Sequence, residues 1–595
     1  MTTQNQAPVI IIGGSLAGLA SALFLSARDV PVILFERHTS SSPHPRAIGY
    51  TSRTLELLQT VGISPDQLRV GSGPPGGKPR RVKVKSLAGE WADEQLWNNN
   101  NANKENGAGP KGETKKPGSG PGGPPPQQKG GKVYAPIMGT AIAQDRLEPI
   151  LRKRAVELGA DLRLGWKMTS WSQSADGVRI TAVNRESGEE VTVDGSYIVA
   201  CDGARSVFRE GLGIGTTGVG HLRSLCSVMF RCAPIERFLE RGFVQFSIEG
   251  REDGFEAFLV SYHDGRWALM WNAAEETVTD NKEDDDSKDG KDTMNVSNSN
   301  KNNNNNNSSK MDARAQKDLI RKALGLGEDE VQDGDIELVT IGFWEMSARI
   351  AEKFAEGRVF LAGDAAHTLP PNRGGYGANT GFADAHNLAW KIAAVRSGVA
   401  DEGVLGTYDE ERRPVALVRH DQLFARDDYK AYIRGDGDKG KRAEVIDDVA
   451  MELGQIYRSR GVDLGTDGEV LPDALRPDEW KGQPGTRAPH LVVRKRDGKD
   501  ISSLDLFGSG WVLLSRDGRW EAAAVGAGCE FVHVGEDVME VDEREEEGFE
   551  ETFGVGREGA VLVRPDGFIA WRVGGRENDG DEVFAEAFKR VSFAF

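Results

Sequence analysis

Four short runs of this chain are apolar without a break, at 9–12, 32–35, 197–200 and 359–362, and each leads within two residues to a glycine or an acid. Runs of this length bounded by turn signals read as strands buried on both faces, as in a parallel sheet. Helical stretches are predicted at 19–26 and after 379, so strand, turn and helix follow one another as in βαβ units. Between the third and fourth runs, 227–231, 243–248, 255–262 and 266–271 alternate or turn apolar, which predicts an antiparallel sheet. Helical character continues from 415 to 457. A change at 481–490 then precedes strands at 491–493, 511–514, 530–534 and 560–563, with a hairpin turn at 564–572.

The chemistry sits where the apolar runs stop. After 9–12 comes Gly13-Gly14-Ser15-Leu16-Ala17-Gly18, and the next strand ends in Glu36. Glycines for a tight turn and an acid about 20 residues on form a dinucleotide fingerprint, with Ser15 in place of its middle glycine. The run 197–200 leads to Asp202-Gly203, and 359–362 leads to Gly363-Asp364, an acid placed for a ribose or ribityl hydroxyl. In the stretch from Pro371 on, Gly374, Gly375 and Gly377 let backbone approach a flat ring, and Asn379-Thr380 read as the cap of a helix whose N–H groups favour negative charge.

With that order of motifs, the chain resembles the class A flavoprotein monooxygenases, and within them the phenol hydroxylase-like aromatic hydroxylases that include the polyketide (anthracycline-type) hydroxylases. The stretches 42–49, 144–148 and 408–414 carry further resemblance. The resemblance implies an α/β fold: a discontinuous Rossmann-like FAD-binding domain (1–97, 133–215 and 345–480), an antiparallel-sheet substrate domain (216–344) and a thioredoxin-like C-terminal domain (481–595). It implies that Gly13, Ser15, Gly18, Glu36 and Arg37 hold the ADP half of FAD. Arg46 and Gln144 would lie near the cofactor, Asp202 would serve FAD and the nicotinamide, Gly363 and Asp364 the ribityl chain, and Pro371, Gly377 and Asn379 the isoalloxazine. The implied reaction takes hydride from NADPH or NADH and adds O2 at the flavin C4a position. Oxygen then passes from that hydroperoxide to an electron-rich ring. Arg373 and Tyr376 are the candidate catalytic residues, with His221 and Tyr262 weaker ones. Phe246, Phe258, Tyr262, Trp267 and Trp271 are candidates for lining the substrate pocket, half or more of them expected in ordinary core.

Composition narrows the partners. With 74 Lys and Arg against 92 Asp and Glu among 595 residues, the net charge of −18 disfavours nucleic acid. Four cysteines without Cys-x-x-Cys spacing suggest neither zinc nor a disulfide framework, and no apolar run is long enough to span a membrane, so a cytoplasmic enzyme is expected. The C-terminal domain, lacking Cys-x-x-Cys, is read as a packing or dimerisation element, which leaves a homodimer open. The residues also leave open an oxidase, a Baeyer–Villiger-type monooxygenase or a reductase on the same fold, and a non-catalytic flavin-binding protein. Two insertions, 98–132 rich in Asn, Gly and Pro, and 275–310 acidic and then rich in Asn and Ser, are too polar to pack a core. Deleting either one should leave flavin content and turnover unchanged; a deletion that folds but no longer holds FAD would refute the spacer reading.

Overall fold

The computed structural model describes residues 7–45, 47–68, 81–95, 133–273, 312–371, 375–425, 444–465, 471–541, 548–576 and 580–595. Both insertions, Arg46 and Arg373 lie outside the described residues. The chain opens with β1 (Val9–Ile12), α1 (Leu16–Ser26) and β2 (Val32–Glu36), followed by α2 (Ser52–Thr60), α3 (Gln144–Glu157), β3 (Asp161–Leu164) and β4 (Tyr197–Ala200). Next come β5 (Thr216–Arg231), β6 (Gln245–Ile248), β7 (Ala257–Ser261), β8 (Arg266–Asn272), α4 (Ala313–Leu324) and β9 (Glu337–Ala351). Then β10 (Val359–Leu361), α5 (Tyr376–Ser397) and α6 (Gly403–Ala425) complete the larger part of the molecule.

The uninterrupted apolar runs do become the buried parallel strands. The first sheet runs Ala355–Glu356, β10, β4, β1, β2, β3, with Val9 beside both Val32 and Tyr197, and Ile198 beside Val359. Because β10, β4, β1 and β2 are parallel neighbours, their carboxyl ends share one edge of the sheet. Turns more than 300 residues apart in sequence therefore meet there.

The second sheet has eight strands in the order His367–Thr368, β9, β5, β8, β7, β6, Arg81–Val84, Trp91–Gln95. Its pairs are antiparallel except β6 with Arg81–Val84, which run parallel, so the expected sheet is of mixed orientation. Strand alternation sorts its residues by face. One face, with Val228, Phe246, Leu259 and Trp267, packs on Ile320, Ala323 and Leu324 of α4. The other faces the first sheet's domain through Arg266 Nη1 to Asp145 Oδ2 (2.7 Å), Ser227 Oγ to His44 Nε2 (2.6 Å) and Tyr262 OH donating to Pro45 O (3.2 Å). This division corrects three pocket candidates. Phe246 and Trp267 are fully buried, Trp271 packs against the same cluster, and all three sit on the α4 face. Phe258 and Tyr262 are on the other.

The C-terminal strands β11 (Val512–Ser515), β12 (Glu530–His533), β13 (Ala560–Val563) and β14 (Ile569–Val573) order as β12-β11-β13-β14. The β11–β12 pair is parallel and the others antiparallel. Helix α7 (Gly580–Ser592) packs Phe584, Phe588 and Val591 against Leu513, Leu562 and Trp571. No helix among the described residues is long and apolar enough to cross a membrane.

The face assignment predicts unequal costs. Phe246→Ala should destabilise by about 3–5 kcal/mol through the cavity it leaves. Phe258, a half-buried ring under Arg81, should cost roughly half as much on the same change. Equal losses in denaturant titrations of the two variants would contradict the assignment.

Candidate functional site

At the shared edge, glycines stand where a Cβ would collide. Gly13 leaves β1 with φ of 104°, and a Cβ on it would lie 2.2 Å from the Cys201 carbonyl oxygen; one on Gly18 would lie 1.8 Å from Gly13 O. The turn thus folds flat against β4, and α1 starts at Leu16, three residues before the expected start. Ser15 is its N-cap in backbone position but its side chain bonds no helix N–H. Its hydroxyl donates instead to Glu148 Oε1 (2.9 Å) and accepts from Gln144 Nε2 (2.9 Å). The first N–H groups of an 11-residue helix are therefore left without a side-chain cap, at the positive end of the helix dipole. Gln144 also takes Ala47 N–H on Oε1 (3.3 Å), which ties this turn to Ala47.

Glu36 ends β2 and accepts from Gly14 N (2.6 Å) and His38 N (2.8 Å), with His38 Nδ1 at 2.6 Å. Burial raises its proton affinity, but these hydrogen bonds, chiefly that of His38, outweigh it and hold the carboxyl below its usual range. Arg37 is exposed beside it. Asp202, beyond β4, accepts Val207 N–H on Oδ2 (2.8 Å), while Oδ1 is buried with no partner among the described residues. Burial pushes that carboxyl up.

Beyond β10, Gly363 has φ of 60°, and a Cβ there would come within 2.7 Å of Ala17 Cβ, so this turn rests on the start of α1. Asp364 follows in a single 3₁₀ turn, half-buried. Pro371 is exposed. Helix α5 is capped by Gly375 in a left-handed conformation (φ 58°) and begins at Tyr376, a turn before the expected Asn379-Thr380 cap. Asn379 has other work. Its Oδ1 accepts from Thr51 N (3.1 Å) and Thr54 Oγ1 (2.6 Å), and its Nδ2 donates to Gly375 O (2.8 Å), binding the helix start to α2. Tyr376 is turned into an apolar cluster with Met346, Leu423 and Phe424, the Arg419 guanidinium 5.3 Å from its ring centre. Buried there, it anchors the start of α5. At Gly377 the nearest atom to a Cβ would be Leu369 O at 3.8 Å, so protein packing alone does not demand glycine.

Beneath the turns lies a buried group that the pattern did not identify. Asp384 of α5 accepts from Gly363 N (3.2 Å) and pairs with His367 Nε2 (2.7 Å) on one oxygen, and with Arg412 Nε (2.8 Å) of α6 on the other. Burial opposes its charge, but His367 and Arg412 prevail and hold it below the usual carboxylate range. The available signal was an acid, an amide and a lysine on one side of α5, Asp384, Asn387 and Lys391, within an otherwise apolar helix.

The site can accept a dinucleotide of the expected kind. The uncapped helix start suits a pyrophosphate, Glu36 is an ionised acceptor at a strand tip, and Asp364 makes no hydrogen bond among the described residues. Of the expected cofactor residues, Gly13, Ser15, Gly18, Glu36, Gln144, Asp202, Gly363 and Asp364 share the sheet edge.

Comparison with known proteins agrees. The family described as FAD binding domain matches residues 6–421, and that described as aromatic-ring hydroxylase, C-terminal, matches 481–592. A 4-methyl-5-nitrocatechol 5-monooxygenase of a Burkholderia species is 35% identical over 98% of this chain and 97% of its own. The tetracenomycin B2 monooxygenase-dioxygenase of Streptomyces olivaceus is 32% identical over 98% of each. The crystal structure of aklavinone-11 hydroxylase in ternary complex with FAD and aklavinone superposes with a TM-score of 0.77 at 29% identity, covering 99% of both chains.

Removing the charge beneath the turns has a defined consequence. Asp384→Asn leaves Arg412 without its carboxylate and should cost about 3–5 kcal/mol at neutral pH. A depressed native pKa contributes stability above the unfolded value, about 3.9, that is lost as pH falls through the native value. Melting curves from pH 7 down should therefore steepen below about pH 4 in the parent and less so in the variant; parallel curves would remove Asp384 from this role.

Proposed function

The chain belongs to the FAD-dependent aromatic-ring hydroxylases, and from that premise we propose how its residues divide the work of an NAD(P)H-consuming monooxygenase acting on a phenolic or polycyclic aromatic compound. The observation that carries the proposal is the meeting of four strand tips with an uncapped helix start, on the side towards which the Phe258 and Met270 face of the second sheet is turned. Bound FAD accepts hydride and activates oxygen. The chain's task is to hold it, shield it from water and present the ring. The first turn of α1 takes the pyrophosphate, Glu36 a ribose hydroxyl and Asp364 the ribityl chain. The room at Gly377 takes one side of the flavin ring.

The substrate ring lies against the face of the second sheet that carries Ser227, Phe258 and Met270, with Leu225 and Trp344 paired across β5 and β9. The apolar patch of Phe258, Met270, Leu225 and Trp344 suits a flat aromatic, and the relatives that act on tetracenomycin B2 and aklavinone support one of more than one ring. Arg373 is the candidate for steadying a phenolate; Tyr376, buried among Met346, Leu423 and Phe424, holds the start of α5. The nicotinamide enters transiently past Asp202. The chain divides at the boundaries expected from its sequence, and the β12-β11-β13-β14 order with its closing helix supports a thioredoxin-like C-terminal domain that packs or dimerises. An enzyme of this reductant demand fits the cytoplasm.

Purified protein should carry a flavin spectrum and oxidise NADPH faster with a suitable phenol, incorporating one atom of ¹⁸O2 into the product. Stimulated oxidation with no label in any product would point to an oxidase instead. Asp364→Ala should weaken FAD retention at least about tenfold, worth about 1.4 kcal/mol, by fluorescence titration with unchanged circular dichroism; undiminished affinity would displace Asp364 from the site.

A further inference from the structure

The two strands that carry Phe258 and Met270 are joined by a turn, and that turn grips the cofactor domain. Between β7 and β8, His263 and Gly265 take left-handed conformations (φ 58° and 80°), and Tyr262 N–H donates to Arg266 O (3.0 Å), so the hairpin is tight. Arg266 opens β8 with its guanidinium between two carboxylates. Asp264 of the same turn accepts from Nε (2.8 Å) and Nη2 (2.6 Å), and Asp145 of α3 accepts from Nη1 (2.7 Å) and Nη2 (3.4 Å). Arg146 adds a longer contact to Asp264 (3.4 Å). The side chains of Arg266 and Asp145 are only 7% and 16% exposed, so salt screens little of this pair.

Asp145 sits in the first turn of α3, between residues committed elsewhere. Gln144 and Glu148, about one helical turn apart, hold the Ser15 hydroxyl. The same turn of helix therefore touches the cofactor loop on one side and the substrate sheet on the next. Two further bonds across this junction, Ser227 to His44 and Tyr262 to Pro45, are single and fix a distance, whereas a guanidinium fork gripped on two edges also fixes an angle. The angle matters because β8 is a lever. Met270 lies about 13 Å along the strand from Arg266, so a rotation of about 10° at the turn would carry it about 2 Å.

We propose that Asp145 is a positioning residue for ring hydroxylation: through Arg266 it sets the angle at which the Phe258 and Met270 face meets the cofactor edge at Ser15. The inference rests on the substrate face assigned under the proposed function. With the clasp open, the aromatic ring binds less tightly and stands off line. The two electrons of NADPH then leave with O2 as hydrogen peroxide, and the ring goes unhydroxylated. The loss falls on coupling and not on hydride transfer to the flavin.

FAD-saturated Asp145→Asn and Asp145→Glu are compared with the parent and with Arg321→Gln, which removes a buried guanidinium bound to Val331 O on the α4 side of the sheet. In Asp145→Asn the ratio of peroxide to hydroxylated product should rise about tenfold, with a raised KM for the phenol. Its FAD affinity and its NADPH oxidation without phenol should stay at the parent values, while hydrogen exchange of the 262–266 amides quickens. Asp145→Glu should recover part of the coupling. Arg321→Gln should lower the melting temperature and leave the peroxide ratio alone. Parent-like coupling in folded Asp145→Asn would overturn the inference, as would equal uncoupling by Arg321→Gln. If the asparagine variant does not fold, Asp145→Glu decides, and coupling and exchange identical to the parent's would count against the proposal. Failure of the substrate-face reading itself shows in the parent, which would then place no ¹⁸O in any phenol, and that result overturns the inference before any variant is compared.

Discussion

A carboxylate sealed from water must find all its partners in the protein, and the placing of Asp384 follows from that demand. Its two oxygens are shared among Gly363 N–H, His367 and Arg412, which belong to the turn after β10, the short strand beyond it and α6. Exchanging such a group for well-packed apolar side chains is often neutral or stabilising, so the arrangement is poor evidence of net stability. What it secures is position. The backbone N–H of Gly363 can be satisfied this way in one placement only, and Asp364 is the next residue. Gly363 also touches Ala17, so the same contact sets the distance from Asp364 to the start of α1. The cofactor edge is thus held from underneath by an ion pair, and from the side by glycines that permit contact.

The same logic recurs behind α5. Lys391 reaches Glu411 (2.7 Å), Glu411 holds Arg564 (2.6 Å), and Arg564 holds Asp566, whose other oxygen contacts take in Asn387 and the Trp390 indole N–H. These groups are essentially without solvent exposure. One helix therefore carries the sealed carboxylate about two turns in from its N-terminus and a docking cluster for the C-terminal domain beyond that. Its apolar side meanwhile packs on α1.

How much of this could be read in the sequence depended on whether a residue's reason was local. Gly13, Glu36, Asp202 and Asp364 were legible because a strand end, a tight turn and an acid are neighbours in the chain. The parallel strands were legible because burial on both faces leaves an unbroken apolar run. Strand β9 was not, since both of its faces are partly open and Gly342 and Glu345 interrupt any alternation. The cap was misplaced because Asn379-Thr380 is a good local signal, whereas Gly375 closes the loop a turn earlier and Thr51 and Thr54 claim the asparagine. Phe246, Trp267 and Trp271 could not be assigned a face until α4 was seen to cover one. Asp384 and Arg412 showed as charges in helices, but their meeting is a tertiary fact.

The hydroxyl of Ser15 faces α3 and not the helix it precedes, and this bears on the life of the protein outside catalysis. A fold whose helix start is completed by a cofactor, not by its own side chain, is stabilised by mass action whenever that cofactor is plentiful, by RT ln(1 + [L]/Kd). Scarcity of riboflavin derivatives would then act on the quantity of enzyme as well as on its occupancy. The turn at Ser15 would thus tie the stability of the fold to how fully its flavin site is filled.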